Sequence, residues 1–95
     1  MAAYVIASIE VTDPATYDEY RKGVAATIAQ HGGRFLARGG AVEHLEGAFM
    51  PKRVVILEFA SMAAAKAWYA SPEYAPLLAL RKQASKGDLF LTEGV

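Results

Sequence analysis

Six side chains in this sequence carry groups suited to holding or activating a small molecule: Arg38, His44, Arg53, Glu58, Trp68 and Tyr74. Glu58 stands near the end of the apolar run Val54-Val55-Ile56-Leu57-Glu58-Phe59. A carboxylate in a strand covered on both faces is costly to leave unpaired. It serves either as a pocket acid or base with a raised pKa, or as half of an ion pair with Arg38 or Arg53 on neighbouring strands. Arg38 precedes Gly39-Gly40, and its guanidinium is shaped to clamp a carboxylate or phosphate through paired hydrogen bonds. The glycines would let the backbone approach a ligand. The structural alternative is that they only bend the strand, with Arg38 paired to Glu58 or Glu46. Trp68, Tyr69 and Tyr74 surround the Ser71-Pro72 break. They make either the wall of an apolar pocket with indole and phenol as polar handles, or simply core.

Other chemistries find little support. His31 and His44 are the only histidines. Glu46 shares a strand face with His44 while Glu43 points the other way, short of the three or four ligands a metal needs. His31 reads as a cation at a helix C-terminus, and no metal is expected. The chain has no cysteine, which removes disulfides and thiolate chemistry. Ser8, Ser61, Ser71 and Ser85 stand in no Gly-x-Ser-x-Gly context. No phosphate-binding loop or dinucleotide fingerprint is present, so no cofactor is expected.

The elements that must position these residues follow from pattern. Tyr4 to Val11 is rich in β-branched residues and reads as a strand. Thr12-Asp13-Pro14 then supplies a cap and a first-turn proline. Tyr17, Tyr20, Val24 and Ile28 recur at helical spacing up to His31-Gly32-Gly33. Arg34–Arg38 and Val42–Glu46 read as one long strand kinked or bulged at Gly39-Gly40, and Gly47–Pro51 as a hairpin turn. Lys52–Ala60 is the most apolar strand. A helix follows over Met62–Ala70 and is interrupted at Ser71-Pro72. Tyr74, Leu77, Leu78 and Arg81 then resume helical spacing, and Asp88–Glu93 closes as a strand.

The order β-α-β-β-α-β is the ferredoxin-like α+β plan, with the second helix broken at Pro72. It predicts a four-stranded antiparallel or mixed sheet. The first and third strands are expected side by side and parallel at its centre, because both are apolar on both faces. Two helical segments cover only one face. The other would remain an apolar patch that soluble monomers rarely tolerate, so a homodimer is expected. Ser8, Glu10 and Glu58 fall on one face, which is the expected partner side and the expected place of any polar cluster.

Composition narrows the class. The chain has 95 residues, 54% of them hydrophobic, and a formal net charge of zero. One domain spanning residues 1–95 is expected. With no basic excess or stripe, nucleic acid is not an expected partner. Glu10, Glu58 and Lys66 break the apolar stretches well short of the ~20 residues that span a bilayer. Met1-Ala2-Ala3 carries no leader pattern. A soluble, cytoplasmic protein without a membrane partner is therefore expected.

The segments Gly33–Gly40, Leu45-Glu46-Gly47, Pro51–Val55, Glu58–Ser61 and Trp68–Tyr74 together resemble a bacterial family of about one hundred residues and unknown function. That family lies in the dimeric α+β barrel superfamily. Position 60, often proline in the family, is alanine here. The resemblance covers nearly the whole chain and implies a ferredoxin-like subunit whose sheet packs against a partner's. The superfamily includes cofactor-independent monooxygenases, haem-degrading enzymes, muconolactone isomerases and stress-response proteins, and fold alone does not choose among them. The expected function is a small-molecule-binding homodimer, with cofactor-independent oxygenase or isomerase chemistry as its catalytic form. The alternative is a non-catalytic ligand-sensing or stress-related accessory dimer.

Overall fold

The computed structural model describes Met1–Val95. Strand β1 (Ala3–Val11) alternates with a period of two. Ala3, Val5, Ala7 and Ile9 are buried, whereas Tyr4, Ile6 and Ser8 are half-buried. Asp13 then starts helix α1 (Pro14–Gln30). Its Oδ1 accepts from the Thr16 N–H at 3.3 Å and its Oδ2 from the Thr16 hydroxyl at 2.7 Å. Those bonds hold the Asp13 carboxyl below its ordinary pKa. At the other end Gly32 takes φ +74°, and the Gly33 N–H donates to the Ile28 carbonyl at 2.9 Å. This left-handed cap ends the helix.

The remaining elements are β2 (Arg34–Arg38), β3 (Arg53–Phe59), α2 (Met62–Tyr69), α3 (Ala75–Ala84) and β4 (Ser85–Glu93). Ser61 caps α2 by accepting from the Ala64 N–H at 3.1 Å. The Ser71 hydroxyl organises the break, donating to the Trp68 carbonyl at 2.8 Å and accepting from the Tyr74 N–H at 3.2 Å. The helix resumes only at Ala75, with Pro76 in its first turn.

The strands are ordered β2-β3-β1-β4, which is the ferredoxin-like sheet. Every neighbouring pair is antiparallel. The two central strands are adjacent as expected, but the expectation that they run parallel is corrected. Helix α1 returns the chain so that β2 runs in the direction of β1, and β3 reverses it. Strand β3 must therefore oppose β1. The apolar runs on both faces reflect side-chain content, not parallel pairing.

Val42–Glu46 is not a strand, and residues 41 to 50 form an exposed irregular segment. Backbone pairing explains where β2 stops. Its last rung is the Gly39 N–H donating to the Val54 carbonyl at 2.8 Å. Beyond it Pro51 has no N–H, and the Lys52 N–H is taken by the Ser8 hydroxyl at 3.1 Å. The bulge lies at Leu36, where the register shifts between Phe35 and Ala37, rather than at Gly39-Gly40. Strand β4 begins three residues before Asp88, because its pairing with β1 runs through to Ser85 opposite Val11. Gly87 permits this pairing. It sits at φ +156°, and a Cβ there would collide with the Ser8 carbonyl oxygen.

All three helices lie on the face carrying Val5, Ala7, Ile9, Leu57 and Phe59, where the core sits. Trp68 anchors it, with its ring centroid 4.2 Å from that of Tyr74 and 5.6 Å from that of Phe59. Its buried indole N–H donates to the Thr27 hydroxyl at 3.1 Å, and that hydroxyl donates to the Val24 carbonyl at 2.7 Å. Thr27→Val strands the indole N–H, and urea unfolding should show a loss of about 1–3 kcal/mol. On a Trp68→Phe background the same substitution should cost markedly less, since no donor is left unpaired.

Candidate functional site

The face of α1 that meets the sheet presents Tyr17, Tyr20, Val24 and Ile28, all buried. Between this face and the strands lies a narrow, partly open cavity of about 30 Å³, room for roughly two water molecules. Its wall is mostly apolar, with Val5, Ala7 and Ile9 from β1, Val55 and Leu57 from β3, and Trp68 from α2. Its polar side chains are of two kinds only. Tyr17 and Tyr20 bring phenols, and Arg21, Arg38, Arg53 and Arg81 bring guanidinium groups. No carboxylate and no histidine lines it.

Each arginine arrives from a different element. Arg38, the last residue of β2, lays its guanidinium carbon 4.2 Å from the centre of the Phe35 ring. Its Nη2 reaches the Arg21 carbonyl at 3.5 Å. Arg21 is held on α1 by Asp18 at 3.8 Å, both well exposed. Arg53 opens β3 and places its guanidinium carbon 5.6 Å from the centre of the Tyr17 ring, within cation–π range. Gly39 makes room for it, because a Cβ at that position would collide with the Arg53 guanidinium. Gly39 also takes φ +73°, a backbone conformation that favours glycine. Arg81 comes from the last turn of α3 and is only 9% exposed. The Nε atoms of Arg53 and Arg81 are buried without a hydrogen-bond partner.

The phenols of Tyr20 and Tyr74 hydrogen-bond to each other at 3.0 Å. Burial, and then the neighbouring Tyr74 phenol, push the Tyr20 hydroxyl well above its ordinary pKa. Tyr20 therefore stays protonated and acts as a hydrogen-bonding group rather than a base. The positive wall and these phenols can hold an anion, or favour the deprotonated form of a bound acid.

Of the residues singled out in the sequence, Arg38, Arg53 and Trp68 meet at this cavity. Tyr74 is fully buried directly behind it, bonded to Tyr20. Glu58 lies elsewhere, on the sheet face away from the helices. Its partner is neither Arg38 nor Arg53 but Arg34, opposite it on β2, with Nε–Oε1 at 2.8 Å. His44 sits in the exposed segment between β2 and β3. No group of three or more His, Cys, Asp or Glu side chains converges anywhere in the chain. Ser8, Glu10 and Glu58 do share a face, as read from the alternation, but the arginine cavity is on the opposite one.

A family model described as a domain of unknown function, DUF1330, matches residues 2–95. This chain belongs to the DUF1330 family. No curated protein matches the DUF1330 chain in sequence. Among solved structures, a Rhodopseudomonas palustris protein of unknown function, RPA0582, is similar at TM-score 0.79 and 18% identity, over 99% of this chain and 82% of that one. SnoaB, a cofactor-independent oxygenase from Streptomyces nogalater, is similar at TM-score 0.64 and 16% identity, over 99% and 92%. HapK from Hahella chejuensis follows at TM-score 0.63 and 19% identity, over 98% and 92%. These likenesses establish the shared fold.

Sequence reasoning did not place Arg21, Arg81, Tyr17 or Tyr20 at a site. A signal existed for the two arginines. Arg21 follows Tyr17 by four residues beside the apolar stripe of α1, and Arg81 falls at apolar-face spacing in α3. For Tyr20 the sign of the pKa effect is definite. A raised pKa means its stabilisation is fully present below about pH 10, the ordinary phenol value, and is lost above it as the unfolded chain ionises. Tyr20→Phe should therefore remove up to about 1.4 kcal/mol per pH unit from the alkaline slope of stability. Denaturant titrations across that range measure it, and equal slopes would contradict the assignment.

Proposed function

We propose that this DUF1330 protein is a small-molecule-binding homodimer with one pocket per subunit, formed where α1 meets the sheet. The observation that carries the reading is the convergence of Arg21, Arg38, Arg53 and Arg81 on one narrow, mostly apolar cavity whose lining holds no carboxylate. Arg38 at the mouth orients a polar group, and Trp68 contacts the apolar part of the ligand. The cavity is narrower than the ~300–1,000 Å³ of ordinary ligand sites, so occupancy requires α1 and the β2–β3 edge to part.

The homodimer is supported by the uncovered sheet face. Tyr4, Ile6, Val54 and Ile56 are only half-buried there, and Phe90 is 54% exposed. Such a contiguous apolar patch calls for a cover, and a second copy of the same sheet supplies one with two-fold symmetry. Glu58 and Arg34 belong to that face. We place the protein in the cytoplasm, where a chain with no cysteine and no helix long and apolar enough to cross a membrane is at home.

Cofactor-independent oxygenase chemistry enters the proposal through the likeness of fold to SnoaB. In that form the arginines stabilise the substrate's anion. A non-catalytic ligand sensor is favoured by a different observation. The lining contains no carboxylate or histidine to take up a proton, so the residues in place bind more plainly than they catalyse.

A thermal-shift screen of small organic acids, phenols and neutral aromatics tests the proposal. A ligand at ten times its Kd adds about 1.4 kcal/mol, which raises Tm by roughly 5 °C or more in a domain of this size. At least one compound should do so, with a smaller shift in Arg38→Ala. Oxygen uptake with that compound in chelator-treated buffer separates the oxygenase from the sensor. A flat response across the screen would contradict the pocket.

A further inference from the structure

Resting on the pocket reading above, we infer that Arg53 and Arg81 form an anion seat inside it, so that the ligand is an organic acid bound through a carboxylate or enolate oxygen. Arginine does not lose its charge in a protein. Arg81 is nine-tenths buried, and an unpaired buried charge is among the most unfavourable features a small domain can keep. The fold nevertheless leaves both side chains without an ion pair or a side-chain hydrogen bond. The chain's ion pairs engage Arg21, Lys22, Arg34 and Lys86. Both unpartnered Nε atoms belong to residues lining the same cavity.

The surroundings reinforce this assignment. Gly39 gives up its Cβ position to the Arg53 guanidinium, and the Tyr17 ring braces that group from below. Arg81 is close enough to Tyr20 to act on its phenol electrostatically. The two cations thus line the same cavity as the Tyr17–Tyr20 pair, whose ring centroids are 5.4 Å apart. A planar oxyanion suits paired guanidinium N–H donors, while the apolar body of the acid rests against Val5, Leu57 and Trp68. A bound anion supplies the countercharge and the missing acceptors in one step. The competing role for Arg81 is purely structural, a cation near the carbonyl end of α3.

Matched probes separate these possibilities: acetate with acetamide, and benzoate with benzamide, each pair alike in shape and differing in charge. Nitrogen-15 NMR of the full chain in low-chloride buffer follows the arginine Nε–H resonances and the single indole N–H of Trp68. The carboxylate of at least one pair should shift the Arg53, Arg81 and Trp68 signals and bind at least tenfold more tightly than its amide. Arg53→Gln should reduce that advantage to less than threefold. Arg53 is only half-buried, so this variant carries the test whether or not Arg81→Gln folds. Equal binding of acid and amide would overturn the anion seat and leave the pocket standing. Carboxylate binding undiminished in Arg53→Gln would also overturn it. No movement of any cavity resonance with any of the four probes would overturn both.

Discussion

The constraint on which the rest of this structure depends is that three helical segments must cover a four-stranded sheet whose central strands are apolar on both faces. They cover one face. Val5, Ala7, Ile9, Leu57 and Phe59 go under Trp68, Tyr74 and the aromatic face of α1. The other face keeps Ile6, Val54, Ile56 and Phe90 at the surface. Burial of apolar area is the main favourable term in folding, and a 95-residue domain has little of it to spare. The two faces therefore answer to different demands, one to the fold itself and one to whatever lies on top of it.

The same division sorts the charged residues. On the open face Arg34 and Glu58 pair across adjacent strands, an arrangement that is weak in water but compatible with contact against another sheet. On the helix face the arginines enter from α1, β2, β3 and α3, and of the four only Arg21 has a carboxylate partner, Asp18 outside the cavity. A fold selected for stability alone would place apolar groups there, since replacing buried charge with well-packed apolar side chains is often neutral or stabilising. Leaving the Nε atoms of Arg53 and Arg81 unpartnered is a local sacrifice of stability of the kind that accompanies binding sites. Gly39 carries the sign of that sacrifice in the backbone, taking a left-handed conformation beside the Arg53 guanidinium.

Much of the architecture was legible in the sequence, because alternation in β1 and the Tyr17-Tyr20-Val24-Ile28 stripe are direct consequences of burial. The caps at Asp13 and Ser61 and the break at Ser71-Pro72 were readable for a different reason: local hydrogen bonding dictates them. What escaped depends on long-range geometry. Strand direction follows from how many times the chain reverses, and apolar content says nothing of it. Val42–Glu46 has strand-like residues but no partner left to pair with once Pro51 and Lys52 have turned toward β1. The sequence offers Arg38 or Arg53 as partner for Glu58 because all three stand on strands. The pleat places Glu58 opposite Arg34 and away from the cavity. Arg81 was visible as a charged residue on an apolar stripe, but only the packing of α3 against α1 brings it to the site.

The claim that ties these features together is that the two sheet faces are occupied separately, one by the pocket and one by a second copy of the chain. Sedimentation equilibrium on the full chain tests it most directly. The account predicts a species of twice the 10.2 kDa monomer mass, with Ile56→Glu on the open face shifting it to the monomer and Arg38→Ala on the helix face leaving it a dimer. A wild-type chain that sediments as a monomer at micromolar concentration, or a dimer indifferent to Ile56→Glu, would contradict it.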